Sequence, residues 1–513
     1  MNYKKLGQIL GKIMILESAL MVFPMIISLI YKEDSRHILS FVIPIVLLLA
    51  CGSALQLLKP KRHNLYQKEG FALTALVWVV MAAFGALPFV INGDIPHYVD
   101  ALFEIMSGFT TTGSSILTDV TTLSHSSLFW RSFSHWIGGM GVLVFVLIFI
   151  PESNDGSAMH LLRAESPGPQ VGKISSKMKV TARILYLIYL GMTLLVAVIL
   201  MLDKPIPGYE EDHIFISFLT ACGCAGTGGF GLIPNSLEFY HPFSQYVVAI
   251  SLLFFGVNFS LYYMILIGQI KNVLRSEELR VYATMLVVAI GLCFFSLTSG
   301  IWEIPQDYTT EEAFRHSLFQ VATLVSTAGF STTDFNVWPM LAQMVLLIMM
   351  FTGGMAGSTA GGTKISRSII AFKGAYINVR KLINPRYVPK AKFEGKTLES
   401  NIINDVFAYF TLYLFIVLIT LVVLSFDPVN GTVSTIVSDA GSYTVKHGFY
   451  SNFTAIIACL CNIGPGFEAV SCYAGFANYS VFSKIVLTFA MMAGRLEILP
   501  VLILFSKRTW SKT

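Results

Sequence analysis

Charge is what this sequence has least of. Only 13% of its 513 residues are Asp, Glu, Lys or Arg, about half the share of an average soluble domain, which excludes a water-soluble globular protein. Disulfides are excluded next, because seven cysteines, an odd number, give no framework of paired spacings. Cys222/Cys224 and Cys459/Cys461 form Cys-x-Cys pairs, but both lie in apolar runs, where a thiol serves as a small packing residue rather than a metal or redox group. The ten histidines are scattered. No His/Glu, Cys/His or Ser/His set stands at a catalytic spacing, so no enzyme is expected. The net charge of +5 does not point to a nucleic-acid partner, since its basic residues are dispersed over alternate loops. A folded cytoplasmic domain is missing as well. The largest basic segments, 151–180 and 374–402, run to about 30 residues each, short of an independent domain. Any nucleotide-sensing domain must therefore come from another chain, with no nucleotide bound by this one.

Apolar sequence is abundant instead: 54% of the residues are hydrophobic and the mean hydropathy is +0.67. Stretches of roughly 20 residues, the length a helix needs to cross a bilayer, fall at 9–31, 38–58, 71–91, 127–150, 181–202, 242–268, 279–301, 337–373, 403–425 and 477–506. The stretch 9–31 carries Glu17 and lacks a small-residue cleavage site, so it reads as a first membrane helix rather than a signal peptide. Of 35 Lys and Arg, 27 lie near the two termini and in Lys59 to Lys68, Arg163 to Arg183, Lys271 to Arg280 and Lys364 to Lys396. Intervening loops are acidic, as at Glu210-Glu211-Asp212 and Glu311-Glu312. This asymmetry places both termini in the cytoplasm of a multi-pass protein of the cell (inner or plasma) membrane.

Four further apolar stretches, 99–112, 213–228, 312–328 and 448–463, are too short to span and read as re-entrant loops. The expected fold is all-α and integral to the membrane, with ten transmembrane helices. Two leading helices (1–65) precede four pseudo-repeated helix–pore loop–helix units at 66–165, 166–275, 276–390 and 391–513.

Each short stretch ends at a Gly-centred segment: Thr111-Thr112-Gly113, Thr227-Gly228-Gly229, Thr327-Ala328-Gly329 and Asn462-Ile463-Gly464. The last glycines are separated by 116, 100 and 135 residues, so the repeats are divergent. Some 25 to 30 residues after each comes another glycine, Gly139, Gly256, Gly354 or Gly494, expected to open a long helix. Carbonyls of such loops can replace the water shell of a potassium ion. Thr111 and Thr112, Thr227 and Gly228, Thr327 and Ala328, and Asn462 and Ile463 would supply them, with each following Gly at positive φ aiming carbonyls inward. In two segments the register is open, since Gly228 or Gly466 could replace Gly229 or Gly464.

The run 353–364 carries Gly353, Gly354, Gly357, Gly361 and Gly362 and interrupts a membrane helix. It is no phosphate loop, because Lys364 follows Thr363 where Gly-Lys-Ser/Thr is required, and no dinucleotide fingerprint, because strand and βαβ context are missing. Unwound backbone at that depth needs a water-filled cavity, so the run is either an occluding segment beneath the filter or a flexible kink.

With Gly139-Met140-Gly141, the run 353–364, Phe103-Glu104, Asn462-Ile463-Gly464-Pro465-Gly466 and Ala493-Gly494-Arg495, the chain resembles the Trk/Ktr/HKT superfamily of potassium transporters over nearly its whole length. It looks closest to the bacterial Trk membrane subunit. The resemblance implies potassium as the transported ion, favoured over sodium by a Gly in all four loops. It also implies a homodimer with one pore per subunit, a gate at the glycine-rich run, and a cytosolic ring of nucleotide-binding (NAD- or ATP-type) subunits.

Single charged residues complete the reading. Arg495, in the middle of an apolar stretch, is costly there by about 2.5–3.5 kcal/mol. It either faces the pore as an electrostatic barrier belonging to the gate or pairs with Glu497 or Glu17. Glu104 either braces the first filter segment or sits solvated at the pore mouth. Asp119, Asp334 and Glu468 either gather cations at the entrance or are solvated loop. Uptake driven by the membrane potential gains about 2.3 kcal/mol per 100 mV, enough to concentrate a cation roughly fortyfold. The alternative, a sodium- or proton-coupled alternating-access symporter, predicts broken helices in related halves. Only one helix, 337–373, looks broken in the sequence.

Overall fold

Lipid leaves a chain no solvent for its backbone, so spanning segments close their hydrogen bonds as helices. The computed structural model describes residues 1–60, 67–141, 178–302, 306–384 and 391–510. Among them six helical segments are long and apolar enough to cross a bilayer: Tyr3–Ile30, Ser35–Gln56, Lys68–Asn92, Val180–Met201, Glu277–Thr298 and Ser400–Leu424. A seventh, Pro242–Phe255 with Phe259–Leu266, qualifies as a pair bent by 91°. Their outward faces carry bare aliphatic side chains, such as Leu187, Leu195 and Val198 on one helix and Leu414, Ile419 and Val422 on another. Their inward faces bury Phe41, Trp78 and Tyr189.

The two leading helices, Tyr3–Leu20 and Ser35–Gln56, cross at glycines. A Cβ on Gly11 would stand 2.7 Å from the Gly52 carbonyl oxygen, and one on Gly52 2.8 Å from that of Gly11. Small residues let backbones approach where no hydrophobic effect drives helices together.

Ten uninterrupted spans are not what forms. The stretch 242–268 breaks at Gly256, where the Tyr282 hydroxyl would lie 2.7 Å from a Cβ, and Asn258 caps the next helix by accepting the Ser260 N–H at 2.9 Å. The stretch 337–373 splits into Met340–Thr352 and Ile365–Ile383, with the glycine-rich run between them. The stretch 477–506 splits into Val481–Arg495 and Leu499–Phe505 at a turn where Glu497 and Ile498 both have φ of 63°. Among the described residues these three stretches are interrupted, where the sequence revealed one. The stretch 127–150 begins as the helix His125–Gly139; residues 142–150 and most of the basic segment 151–180 lie outside the described residues.

Gly139, Gly256, Gly354 and Gly494 were expected to open helices. They stand instead at or just beyond helix ends, or one residue before one. Close packing against the short helices explains two of them: a Cβ on Gly139 would come 2.7 Å from Gly226 Cα, and one on Gly494 would collide with the Leu460 carbonyl.

The all-α expectation needs one correction. Val433–Ser438 and Gly441–Lys446 pair antiparallel, from Val433 opposite Lys446 to Ser438 opposite Gly441, and Lys392–Phe393 pairs with Lys396–Thr397. The larger hairpin arises because VSTIVS and GSYTVK alternate and are β-branched, with a two-residue connection.

A recurrent clip relates three segments of the chain. Asp94, Asp203 and Asp427, each just after a helix, accept the side-chain hydroxyls of Ser124, Ser244 and Ser480 at 2.8, 2.6 and 2.7 Å. The same carboxylates accept the backbone N–H of those serines. Each serine lies at the N-terminal edge of the next long helix, so one carboxylate pins two helices and favours the helix N-terminus by charge.

Candidate functional site

Four short helices, Tyr98–Phe109, His213–Gly226, Thr310–Val325 and Phe449–Leu460, finish in one shared turn. Thr111, Thr227, Thr327 and Asn462 all adopt left-handed φ, at 55°, 53°, 58° and 56°. The next residue donates its N–H five positions back in every case: Thr112 to Ser107 (2.8 Å), Gly228 to Gly223 (2.9 Å), Ala328 to Thr323 (2.8 Å) and Ile463 to Ala458 (2.9 Å). This closure satisfies helix-end carbonyls and usually employs glycine. Three β-branched threonines there hold strain of the kind that clusters at functional backbone.

The shared turn fixes the register. Gly229 and Gly464 match Gly113 and Gly329, and Gly228 matches Thr112, Ala328 and Ile463. Gly113, Gly329 and Gly464 have φ of 81°, 90° and 95°. Gly229 does not take positive φ, which corrects the expectation for that segment.

The four segments close on one another. A Cβ on Gly113 would stand 2.8 Å from Gly229 N, and one on Gly229 2.5 Å from the Ala328 oxygen. One on Gly329 would collide with the Ile463 carbonyl, and one on Gly464 would stand 2.7 Å from the Thr112 oxygen. Each glycine therefore faces the neighbouring segment, around a closed ring. Gly228 is glycine for a separate reason: a Cβ there would run into the His135 imidazole, whose Nδ1 lies 2.8 Å from the Gly108 oxygen.

Side chains lock the ring from behind. Asn462 Nδ2 donates to Thr112 Oγ1 and to the Met491 carbonyl, both at 2.9 Å, and Ser114 Oγ donates to the Gly464 carbonyl at 2.9 Å. Glu104 is fully buried. It accepts the Ser115 hydroxyl at 2.9 Å, the Ile116 N–H at 3.0 Å and Arg131 Nε at 2.6 Å. Arg131, also buried, donates to the Gly231 carbonyl at 2.8 Å and lies 3.6 Å over the Phe230 ring, joining the first segment to the second. Lys484 Nζ reaches Asp100 at 2.7 Å and ties the last long helix to the first short one.

Outside the ring lies a vestibule of about 150 Å³ whose lining includes Gly113, Gly229, Gly329, Gly464 and Arg131. The acidic residues near it have separate roles. Asp119 is exposed and accepts from Thr121. Asp334 is buried, with its carboxylate occupied by the Asn336 N–H and the Tyr443 hydroxyl of the hairpin. Burial pushes the Asp334 carboxyl above its ordinary range while those two hydrogen bonds pull it back. Glu468 accepts the Ser451 hydroxyl at 2.6 Å.

On the other side of the ring, residues 353–364 fold as an irregular loop. Gly353 has φ 65° and ψ −170°, a combination open essentially to glycine alone. The loop is held from several sides. Met355 N donates to the Gly256 carbonyl at 3.0 Å, and Ala356 N to Glu278 at 2.8 Å. Gly361 N donates to Thr327 Oγ1 at 2.5 Å, and Gly362 N to the Cys461 carbonyl at 2.9 Å. Gly354 and Gly357 pack against Ala360 and Asn258. Arg495 Nη1 donates to the Thr359 carbonyl at 2.9 Å, and Nη2 to the Gly138 and Gly139 carbonyls at 2.5 and 2.7 Å. Its charge thereby caps the C-terminus of the His125–Gly139 helix and clasps the loop.

The TrkH family model, described as a cation transport protein, matches residues 37–512. This chain belongs to the TrkH family. It is 31% identical over 518 residues to the Trk system potassium uptake protein TrkH of Salmonella typhimurium, covering 99% of this chain and 100% of that protein. It is 30% identical to the Trk system potassium uptake protein TrkG of Escherichia coli strain K12, over 98% of this chain and 97% of that one. The crystal structure of the potassium transporter TrkH from Vibrio parahaemolyticus superposes with a TM-score of 0.83 at 27% identity, over 100% of both chains.

Within this TrkH-family chain, some expectations fall to the contacts. Arg495 donates to the Thr359, Gly138 and Gly139 carbonyls, while Glu497 meets Arg367 at 2.6 Å. Glu17 is buried with neither carboxylate oxygen hydrogen-bonded among the described residues. Glu104 is a brace and not a solvated mouth residue. Arg131, His135 and Lys484 escaped the sequence reading. The first and last were visible as lone cations in apolar stretches, the signal that singled out Arg495.

Proposed function

We propose that this chain carries potassium across the cell membrane through a filter formed by its four Gly-centred segments. The observation that carries this is the ring, in which four turns of one geometry from distant parts of the chain close on one another. Potassium enters the vestibule and exchanges water for the carbonyls of Thr111, Thr112, Thr227, Gly228, Thr327, Ala328, Asn462 and Ile463, with Gly113, Gly229, Gly329 and Gly464 permitting the approach. Divergent loops make the ring only pseudo-symmetric, so discrimination against sodium is looser than in a fourfold-identical filter.

The same reading orders the chain as two leading helices and four repeats at 66–165, 166–275, 276–390 and 391–513, crossing ten times if each interrupted helix counts once. Both termini then lie in the cytoplasm. Residues Gly353, Gly354, Gly357, Gly361, Gly362 and Arg495 form the gate: the loop blocks the path inward, and the guanidinium adds an electrostatic barrier. The regulated assembly is a homodimer, one pore per subunit, on a cytosolic ring of nucleotide-binding subunits. Relatives named for the Trk potassium uptake system support potassium as cargo.

A second reading, coupled symport by alternating access, draws support from the three interrupted helices. Rubidium uptake into liposomes separates the two. A potential alone, without sodium and at symmetric pH, should drive uptake that potassium competes away and sodium does so weakly. Uptake that requires a sodium or proton gradient would favour symport, and no rubidium uptake under any gradient would reject both.

A further inference from the structure

The four residues that end the short helices, Thr111, Thr227, Thr327 and Asn462, all bear a side-chain oxygen and are all fully buried. Their oxygens are used unequally. Thr111 Oγ1 and Asn462 Oδ1 have no hydrogen-bond partner among the described residues. Thr227 Oγ1 donates to the Gly226 carbonyl at 2.7 Å, which leaves its lone pairs unengaged by that bond. Thr327 Oγ1 alone of the four accepts a hydrogen bond from the glycine-rich loop, from the Gly361 N–H. The loop is close there in another sense too, since a Cβ on Gly361 would stand 3.0 Å from Asn462 Cβ and 3.2 Å from Thr327 Oγ1.

We propose that Thr327 Oγ1 is shared between the loop and the permeating cation, so that loop closure and ion occupancy at the inner end of the filter compete for one oxygen. This rests on the filter reading above. A dehydrated monovalent cation needs oxygen lone pairs, and a hydroxyl accepting an amide N–H offers it fewer. By linkage the effect is reciprocal: a cation at this level weakens closure by the same factor by which closure weakens its binding. Thr227 supplies the internal contrast, with the same turn and hydroxyl but no bond to the loop.

The test follows amide exchange across 353–364 in the full chain in lipid nanodiscs, with potassium replaced by N-methylglucamine at constant ionic strength. In the parent, potassium should speed exchange at Gly361 and Gly362 several-fold. Thr327→Val keeps the β-branched shape and removes the acceptor. It should abolish the potassium dependence and raise basal rubidium flux by about three- to tenfold, the worth of one hydrogen bond. Thr327→Ser restores the potassium dependence, and Thr227→Val retains it. A parent loop indifferent to potassium, or a Thr327→Val loop that still responds, overturns the proposal. The parent measurement needs no variant and decides even if Thr327→Val fails to fold. A parent that passes rubidium selectively while its loop ignores potassium refutes only this inference; a parent that passes none refutes the filter reading.

Discussion

Replacing Glu104 with Gln should both destabilise the protein and loosen its ion selection. The carboxylate is fully buried and 2.6 Å from Arg131, itself 1% exposed. Glutamine leaves that guanidinium without its counter-charge and turns an amide NH₂ toward groups that all donate: Arg131 Nε, the Ser115 hydroxyl and the Ile116 N–H. Removing one member of a buried pair costs about 3–5 kcal/mol, a large part of the roughly 5–15 kcal/mol that holds a typical domain folded. The loss falls where Glu104 fixes the residues after Gly113 and Arg131 holds the Gly231 carbonyl, so the first and second segments loosen together. The assay is thermal retention of the monodisperse species in detergent, alongside the rubidium-to-sodium flux ratio. In a double-mutant cycle, Glu104→Gln/Arg131→Met should be more stable than Glu104→Gln alone, because the unpaired charge is gone. A Glu104→Gln protein as stable and selective as the parent would refute the brace, and strictly additive effects would refute the pairing energy.

Gly113→Ser and Gly329→Ser should weaken selectivity while the protein still inserts, since each Cβ meets backbone of the adjoining segment; unchanged sodium exclusion in both would count against the ring. Deleting Gly357 to Gly362 should raise basal flux without altering selectivity, and flux no higher than the parent's would remove the loop as gate. Arg495→Ala frees the carbonyls of Thr359, Gly138 and Gly139 and should likewise raise basal flux; reduced flux with an intact fold would reverse that assignment. Charge reversal at Arg380, Lys381 and Arg386 (the last outside the described residues) should abolish nucleotide-dependent flux in the complex with the ring while orientation is kept. A full nucleotide response would leave those charges a purely topological role.

The segments at Thr111, Thr227, Thr327 and Asn462 were legible in the sequence because a helix that stops at a Gly-centred turn leaves a local signature, repeated four times. The outer chemistry was less so. The alternation in 433–446 was present and went unread beside stronger helical signals. The breaks at Gly256 and at Glu497-Ile498 could not be read from hydropathy, which runs on through them; they follow from contacts such as Gly256 with Tyr282. The charged partner of Glu104 and the carbonyl partners of Arg495 lie 27 and more than a hundred residues away in the chain, and pairing over such distances leaves no local pattern. Asp94, Asp203 and Asp427 with their serines are a repeat mark that the sequence did carry, hidden by intervals of 30 to 53 residues.

The most direct test of the central claim is to locate the ion. Crystals grown in thallium or rubidium should show anomalous density on the axis of the ring, within coordination distance of the Thr111, Thr227, Thr327 and Asn462 carbonyls and those of the residues that follow them. Density confined to an off-axis carboxylate, or a bare ring in a protein that takes up rubidium, would contradict the account.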